Sequence, residues 1–126
     1  MNERLFLAAA GLSGALSVGV DAVAVHRLAD DAYRLGLATT AARYGLFHAV
    51  ALIGVVALSR SGRGGFWLGA AGWLFVAGLV LFCGSLDLIA AGAPHAFATA
   101  APWGGTAFIF GWVAILVAAF RPCPAD

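Results

Sequence analysis

Four long apolar stretches, separated by short polar segments, set the pattern of this chain of 126 residues. The clearest is GAAGWLFVAGLVLFCGSLDLIAAG, from Gly69 to Gly92, in which Cys83 and Asp87 are the only ionisable side chains. About 18 apolar residues are enough for a helix to cross the hydrocarbon core of a bilayer. A helix also satisfies its own backbone hydrogen bonds where water is absent. The pattern therefore predicts an all-α integral membrane bundle.

The stretches predict one domain over residues 1–126 with four transmembrane helices. Their expected bounds are about 5–26, 41–59, 66–92 and 103–120. The polar segment His26–Thr40 lies between the first two, and its Asp30 and Arg34 stand at i,i+4 spacing. Apolar positions 28, 32 and 35 can share the opposite side of a helix. We therefore expect a short amphipathic helix at the membrane interface between helices one and two.

The composition is typical of a membrane protein, and the charge and motifs argue against two classes of function. Hydrophobic residues make up 63% of the chain and charged residues 10%, whereas soluble domains carry about 25% charged residues. The net charge of +1 comes with no basic patch, so no nucleic-acid partner is expected. No nucleophile elbow, phosphate-binding glycine loop or catalytic triad is recognisable, so we predict that the protein is not an enzyme.

Polar and ionisable residues are expected to share one half of the membrane. In a four-span bundle, the end of helix one, the start of helix two and the end of helix three lie at the same side, opposite the termini. A charge at this depth is costly, so a common pocket with paired charges is the economical arrangement. We expect Arg43 to form an ion pair with Asp21 or Asp87, with His48 in the same cluster. The full predicted set is Asp21, His26, Arg43, Tyr44, His48, Cys83 and Asp87.

Three interpretations of this set remain open from the sequence. Its charges could neutralise one another and fix the packing of the helices, or they could form a pocket for protons or a small ligand. His26 and His48 on neighbouring helices could also hold a metal or haem, with Asp21, Asp87 or Cys83 nearby. Because no CxxCH, HxxxH or ExxH motif occurs, we predict no cofactor.

Helix one also carries a stripe of mostly small residues. Ala9, Ser13, Ser17 and Asp21 recur every four residues, a pattern suited to close helix packing.

The stretches YGLFHAVAL (Tyr44 to Leu52), AGWLFVAGLVLFCGSLDLIAAG (ending at Gly92) and PWGGTAFIFGW (Pro102 to Trp112) resemble the YgdD-like small membrane proteins. This bacterial group has no established activity, and the animal transmembrane protein 256 is similar to it. The resemblance implies four transmembrane helices and a location in the bacterial inner membrane. His26 matches a family position, whereas family members commonly carry an aromatic residue in place of Asp87 and a serine in place of Cys83. Asp21 and Asp87 therefore stand out as features of this chain.

Four spans place both termini on one side of the membrane. That side would hold Arg4, Arg60, Arg63 and Arg121, and the other side Arg27, Arg34 and Arg43. Short arginine-rich loops tend to stay in the cytoplasm, so we expect both termini there.

The expected partners are the lipid bilayer and either other membrane subunits or further copies of the chain. Helices one and four offer glycine, alanine and aromatic surfaces without a catalytic set, which favours an accessory or scaffolding subunit or a homo-oligomer. The alternative is a channel or carrier for protons or a small ligand that uses the polar half of the bundle.

Overall fold

The computed structural model describes residues 2–62 and 65–121, and in this part of the chain all regular structure is helical. Four helices are long and apolar enough to cross a membrane: α1 (Glu3–Arg27), α2 (Ala32–Arg60), α3 (Gly65–Ala90) and α4 (His95–Ala119). These helices confirm the predicted all-α fold with four spans. Arg63, which entered the charge argument, lies outside the described residues.

Two of the four helices are not regular α-helix throughout. In α3 a π-helical turn, Leu79–Cys83, separates the α-helical segments Gly65–Gly78 and Gly84–Ala90. In α4 the first residues, His95–Ala100, form a 3₁₀ helix before the α-helix Ala101–Ala119. Gly92 ends α3 with a φ of 103°, a left-handed conformation that glycine adopts without steric cost.

The amphipathic interfacial helix predicted between helices one and two is not a separate element. The helix α1 continues to Arg27 and α2 already begins at Ala32, so only residues 28–31 connect them. The carboxylate of Asp31 accepts a hydrogen bond from the backbone N–H of Arg34 at 3.0 Å and caps α2. Once started, the helix meets no proline before Arg60, and adding residues to an existing helix is favourable. The polar residues 32–40 are therefore the first turns of α2.

Each helix packs mainly against the next one in the chain. The helix α1 lies along α2, α2 lies along α3, and α3 lies along α4. Near its N-terminus, α1 also meets α3, where Phe6 packs edge-on against Trp73 with 5.6 Å between ring centroids. The largest fully buried side chains are Phe6, Leu52, Val55, Leu68 and Phe75, so the core lies toward the terminal half of the bundle.

Glycines allow neighbouring helices and aromatic rings to approach closely. At several glycines, an added Cβ would overlap a neighbouring side chain or the backbone of a neighbouring helix. The pairs are Gly72 with Phe6, Gly78 with Phe108, Gly111 with Phe75, Gly45 with Ser17, and Gly104 with the backbone of Leu81–Phe82. Small residues at such contacts are the usual means of packing helices in a bilayer, where lipid is as apolar as the side chains.

Candidate functional site

The structure divides the seven predicted polar residues into three groups. Tyr44 and His48 lie on α2 among aromatic side chains, and His48 is buried. Cys83 and Asp87 lie on α3 beside a groove. Asp21, His26 and Arg43 are exposed on the sides of α1 and α2.

His48 is enclosed by aromatic rings. Its side chain is 4% exposed, and its ring stacks on Phe108 with 3.6 Å between centroids and 14° between planes. Phe75 and Trp112 approach it from α3 and α4. A buried polar ring of this kind needs hydrogen-bond partners to offset its loss of water.

Both ring nitrogens of His48 have such partners. The indole Nε1–H of Trp112 donates to His48 Nε2 at 3.2 Å. Because Nε2 accepts, the ring proton must be on Nδ1, which donates to the carbonyl oxygen of Tyr44 at 2.8 Å. These bonds define the neutral Nδ1–H form of histidine. Binding a metal or an additional proton at Nε2 would require the bond from Trp112 to break.

The ion pair that the sequence predicts for Arg43 is not formed. Within residues 2–62 and 65–121, the salt bridge is between Arg60 Nε and Glu3 Oε2, at 2.8 Å, on the terminal side. Positions 42, 45 and 49 of α2 are buried, which turns Arg43 outward to the lipid. The long apolar stem of arginine lets its guanidinium reach the headgroups from such a position.

Asp87 lies at the junction of two compartments between α1 and α3, which we call the α1–α3 groove. The smaller compartment, of about 250 Å³, is bounded by residues such as Ser13, Ser17 and Cys83. The larger, of about 510 Å³, runs toward the end of α1 along Val20 and Val23. Leu16 and Asp87 line both compartments, so the two compartments adjoin at these residues.

The carboxyl group of Asp87 is the least satisfied polar group near the groove. Its Oδ1 is buried and has no hydrogen-bond partner. Buried polar atoms normally have one, and an exception calls for a specific explanation. Neither Asp21 nor Arg43 lines the groove with it.

Two arginines that we did not predict as site residues line the larger compartment. Arg27 is in the last turn of α1 and Arg34 is in the first turn of α2, on either side of the connection. The Nε–H of Arg34 donates to the carbonyl oxygen of Ala90 at 2.7 Å and so ties α2 to the end of α3. Their position in the sequence could have indicated them, because both arginines flank helix ends at the level where α3 also ends.

No group of three or more His, Cys, Asp or Glu side chains in the described ranges is arranged to hold a metal ion. His26 lies exposed in the last turn of α1 and lines neither compartment of the groove. His26 and His48 thus lie in different surroundings, His26 at the surface and His48 in the aromatic core.

The four apolar helices define a small multi-pass membrane protein with an aromatic core and a lateral groove. The chain belongs to the family described as "Protein of unknown function (DUF423)", which matches residues 20–105. This membership confirms the predicted resemblance. The family description names no activity.

Relatives in Bacillus subtilis and Escherichia coli match the chain along nearly its full length. The chain is 34% identical to the UPF0382 membrane protein YwdK of Bacillus subtilis over 121 residues, which is 94% of this chain and 98% of that protein. It is also 34% identical to the UPF0382 inner membrane protein YgdD of Escherichia coli over 124 residues, covering 96% and 93%. No solved structure matches the chain.

Proposed function

We propose that this protein is a scaffolding subunit of the bacterial inner membrane that associates with a second copy through the outer face of α1. The observation that carries the proposal is the exposure of α1. Only 17% of the apolar stretch of α1 is buried, against 22% for α4, 44% for α3 and 50% for α2. A helix that packs on one neighbour leaves most of its surface for another partner.

The open side of α1 carries the residues that favour close helix packing. Gly11, Ala15 and Gly19 are four residues apart, exposed, and on one face of the helix. A Cβ added at Gly11 or Gly19 would meet nothing within 4 Å. Such small-xxx-small faces allow two helix backbones to approach each other.

The inner side of α1 is already used within the chain. Ser13 donates a hydrogen bond to the carbonyl oxygen of Gly45 at 3.1 Å, and Ser17 packs against the same glycine. The predicted stripe of Ala9, Ser13 and Ser17 therefore serves the α1–α2 contact, whereas Asp21 at its end is exposed. Gly11 and Ala15 are each two residues from Ser13, about 200° around the helix, and so on the opposite side.

A second copy is the natural partner for this face. All copies insert with the same orientation, so α1 of one copy can lie parallel to α1 of the next with the same residues in contact. A symmetric interface of this kind is the commonest form of association between identical chains.

The test is the dimer content of Gly11→Leu in mild detergent, measured by native mass spectrometry over a concentration series. We expect its dimer Kd to rise at least about tenfold, or about 1.4 kcal/mol, because leucine separates the two backbones. Gly54→Leu on α2 is the matched control, since its added side chain also starts in open space. A wild-type chain that is monomeric throughout overturns self-association, and equal dimer content in the two variants overturns the outer face of α1 as its interface.

We further infer that both termini face the cytoplasm, because the sequence places four of the seven arginines on the terminal side: Arg4, Arg60, Arg63 and Arg121. The alternative of a proton or small-ligand carrier stays a prediction. It rests on Asp87 in the groove, since both nitrogens of His48 are engaged and Asp21 and Arg43 are exposed.

A further inference from the structure

We propose that the α1–α3 groove binds one anionic phospholipid, with an acyl chain along the groove and the phosphate held by Arg27 and Arg34 at its mouth. The site shares Ala15 and Gly19 with the self-association face of α1, so a bound lipid and a second copy would compete for this part of the helix. The lipid site does not depend on self-association. Three features of the groove carry the proposal: its walls, the charges at its mouth and the acid below them.

The walls suit a hydrocarbon chain. Leu16, Val20 and Val23 of α1 face the larger compartment, with Ala90 on the opposite side. Its volume of about 510 Å³ lies within the usual range for ligand sites, about 300–1,000 Å³. The groove lies between two membrane-spanning helices, so it extends in the direction in which acyl chains run.

The mouth suits a phosphate. Neither Arg27 nor Arg34 has a carboxylate within ion-pair distance in the described part of the chain. Asp31, the acid nearest to Arg34 in sequence, precedes α2 and is engaged as its cap, and the exposed Asp30 beside it forms no ion pair with either arginine. The bond to Ala90 uses only the Nε–H of Arg34, so its terminal N–H groups can still donate to oxygen atoms of a phosphate.

Asp87 distinguishes the two ends of the groove and so indicates where the phosphate should lie. It precedes Ala90 by three residues, which corresponds to about 4.5 Å along a helix. Positive charge at the mouth and a carboxyl group below it favour a phosphate at the surface and disfavour one deeper in the groove. Basic pockets between transmembrane helices are known to select anionic headgroups. We therefore expect preference for phosphatidylglycerol over phosphatidylcholine, whose choline offsets the charge of its phosphate.

The experiment is native mass spectrometry of the full chain, titrated with phosphatidylglycerol or phosphatidylcholine of identical acyl chains. The wild-type chain should retain phosphatidylglycerol preferentially. Arg27→Gln and Arg34→Gln should each lower that affinity about fivefold. Arg43→Gln is the matched control, because Arg43 lies in the same half of the bundle and does not line the groove. Equal retention of both lipids, or an equal effect of Arg43→Gln, overturns the site.

A second pair of variants leaves both arginines in place, since Arg34 also ties α2 to α3. Val23→Trp should fill the groove and lower retention of phosphatidylglycerol at least about fivefold. Val25→Trp should not, because Val25 is exposed to a similar degree, 53% against 58%, and does not line the groove. Equal retention in both variants overturns the proposal. So does a lipid-free dimer that Val23→Trp abolishes, which would assign the groove to a second copy.

Discussion

His48 is buried with both ring nitrogens hydrogen-bonded, Nε2 to Trp112 and Nδ1 to the carbonyl oxygen of Tyr44. The bond from Trp112 connects α4 to α2, and the two helices also meet where the rings of Tyr44 and His48 pack on Phe108. Of the three interpretations that the sequence left open, His48 by itself fits the one that fixes helix packing.

The bond from Trp112 supplies the first prediction. Trp112→Phe keeps an aromatic ring beside His48 but removes the donor, which leaves Nε2 buried without a partner. We expect a loss of about 1–3 kcal/mol in the free energy of unfolding, measured in detergent. Trp103→Phe is the control, since Trp103 is 73% exposed and a surface change of this kind costs within about 0.5 kcal/mol. Equal stability of the two variants would contradict the role assigned to this bond.

The side chains of the predicted cluster could be placed in depth from the sequence but not in direction. Lipid and protein interior are similarly apolar, so a membrane helix does not reveal by its hydropathy which face turns inward. The rotation of α2 follows instead from local contacts such as Gly45 against Ser17, which turn Arg43 to the lipid and His48 to the core. These contacts depend on shape, and the spacing of polar residues does not report them.

Among the elements, the existence of the helices was predictable and some of their ends were not. The third helix, expected at about 66–92, is observed at Gly65–Ala90, and the first is similarly close. The second begins at Ala32. It was expected only from about 41 because Arg34, Thr39 and Thr40 lower the hydropathy of its first turns. Thr39 satisfies its hydroxyl within the helix, by donating to the carbonyl oxygen of Leu35 at 3.0 Å.

The backbones of α3 and α4 approach each other closely at the π-helical turn. A Cβ at Gly104 would overlap backbone atoms of Leu81 and Phe82, which belong to that turn. Irregular turns inside helices commonly mark places where a neighbour or a functional group intrudes on the regular pattern. The backbone of α4 therefore approaches α3 where α3 departs from α-helical geometry.

This contact supplies an element-scale prediction. Gly104→Ala should destabilise the protein by about 1–3 kcal/mol, because the methyl group meets backbone that cannot rotate away. Gly105→Ala is the matched control, since its Cβ would meet Phe82 only at 3.8 Å, an ordinary contact. Alanine is also the better helix former, so Gly105→Ala should be neutral or slightly stabilising. The two variants are compared by unfolding in detergent, and the reverse order would show that α3 and α4 separate easily.

For the whole molecule, the distribution of arginines predicts the orientation in the membrane. In a Cys123→Ser background, Ser61→Cys should react with an impermeant maleimide only after the cells are opened, because the proposed orientation places the α2–α3 turn in the cytoplasm. Ala96→Cys, at the start of α4, should react in intact cells. Both positions are exposed in the structure, and Cys83 is buried. Labelling of Ser61→Cys in intact cells would reverse the orientation.

The neighbour-to-neighbour order of the helices bears on how the protein is made. The ribosome delivers α1 first, and its partner α2 is the next span to enter the bilayer, followed by α3 and then α4. Each span packs mainly against the span that precedes or follows it, so each helix–helix interface can form as soon as the second of its two helices is inserted. Contacts between segments close in sequence also form fastest. Biogenesis can therefore proceed as a series of helical hairpins closing in the order of synthesis.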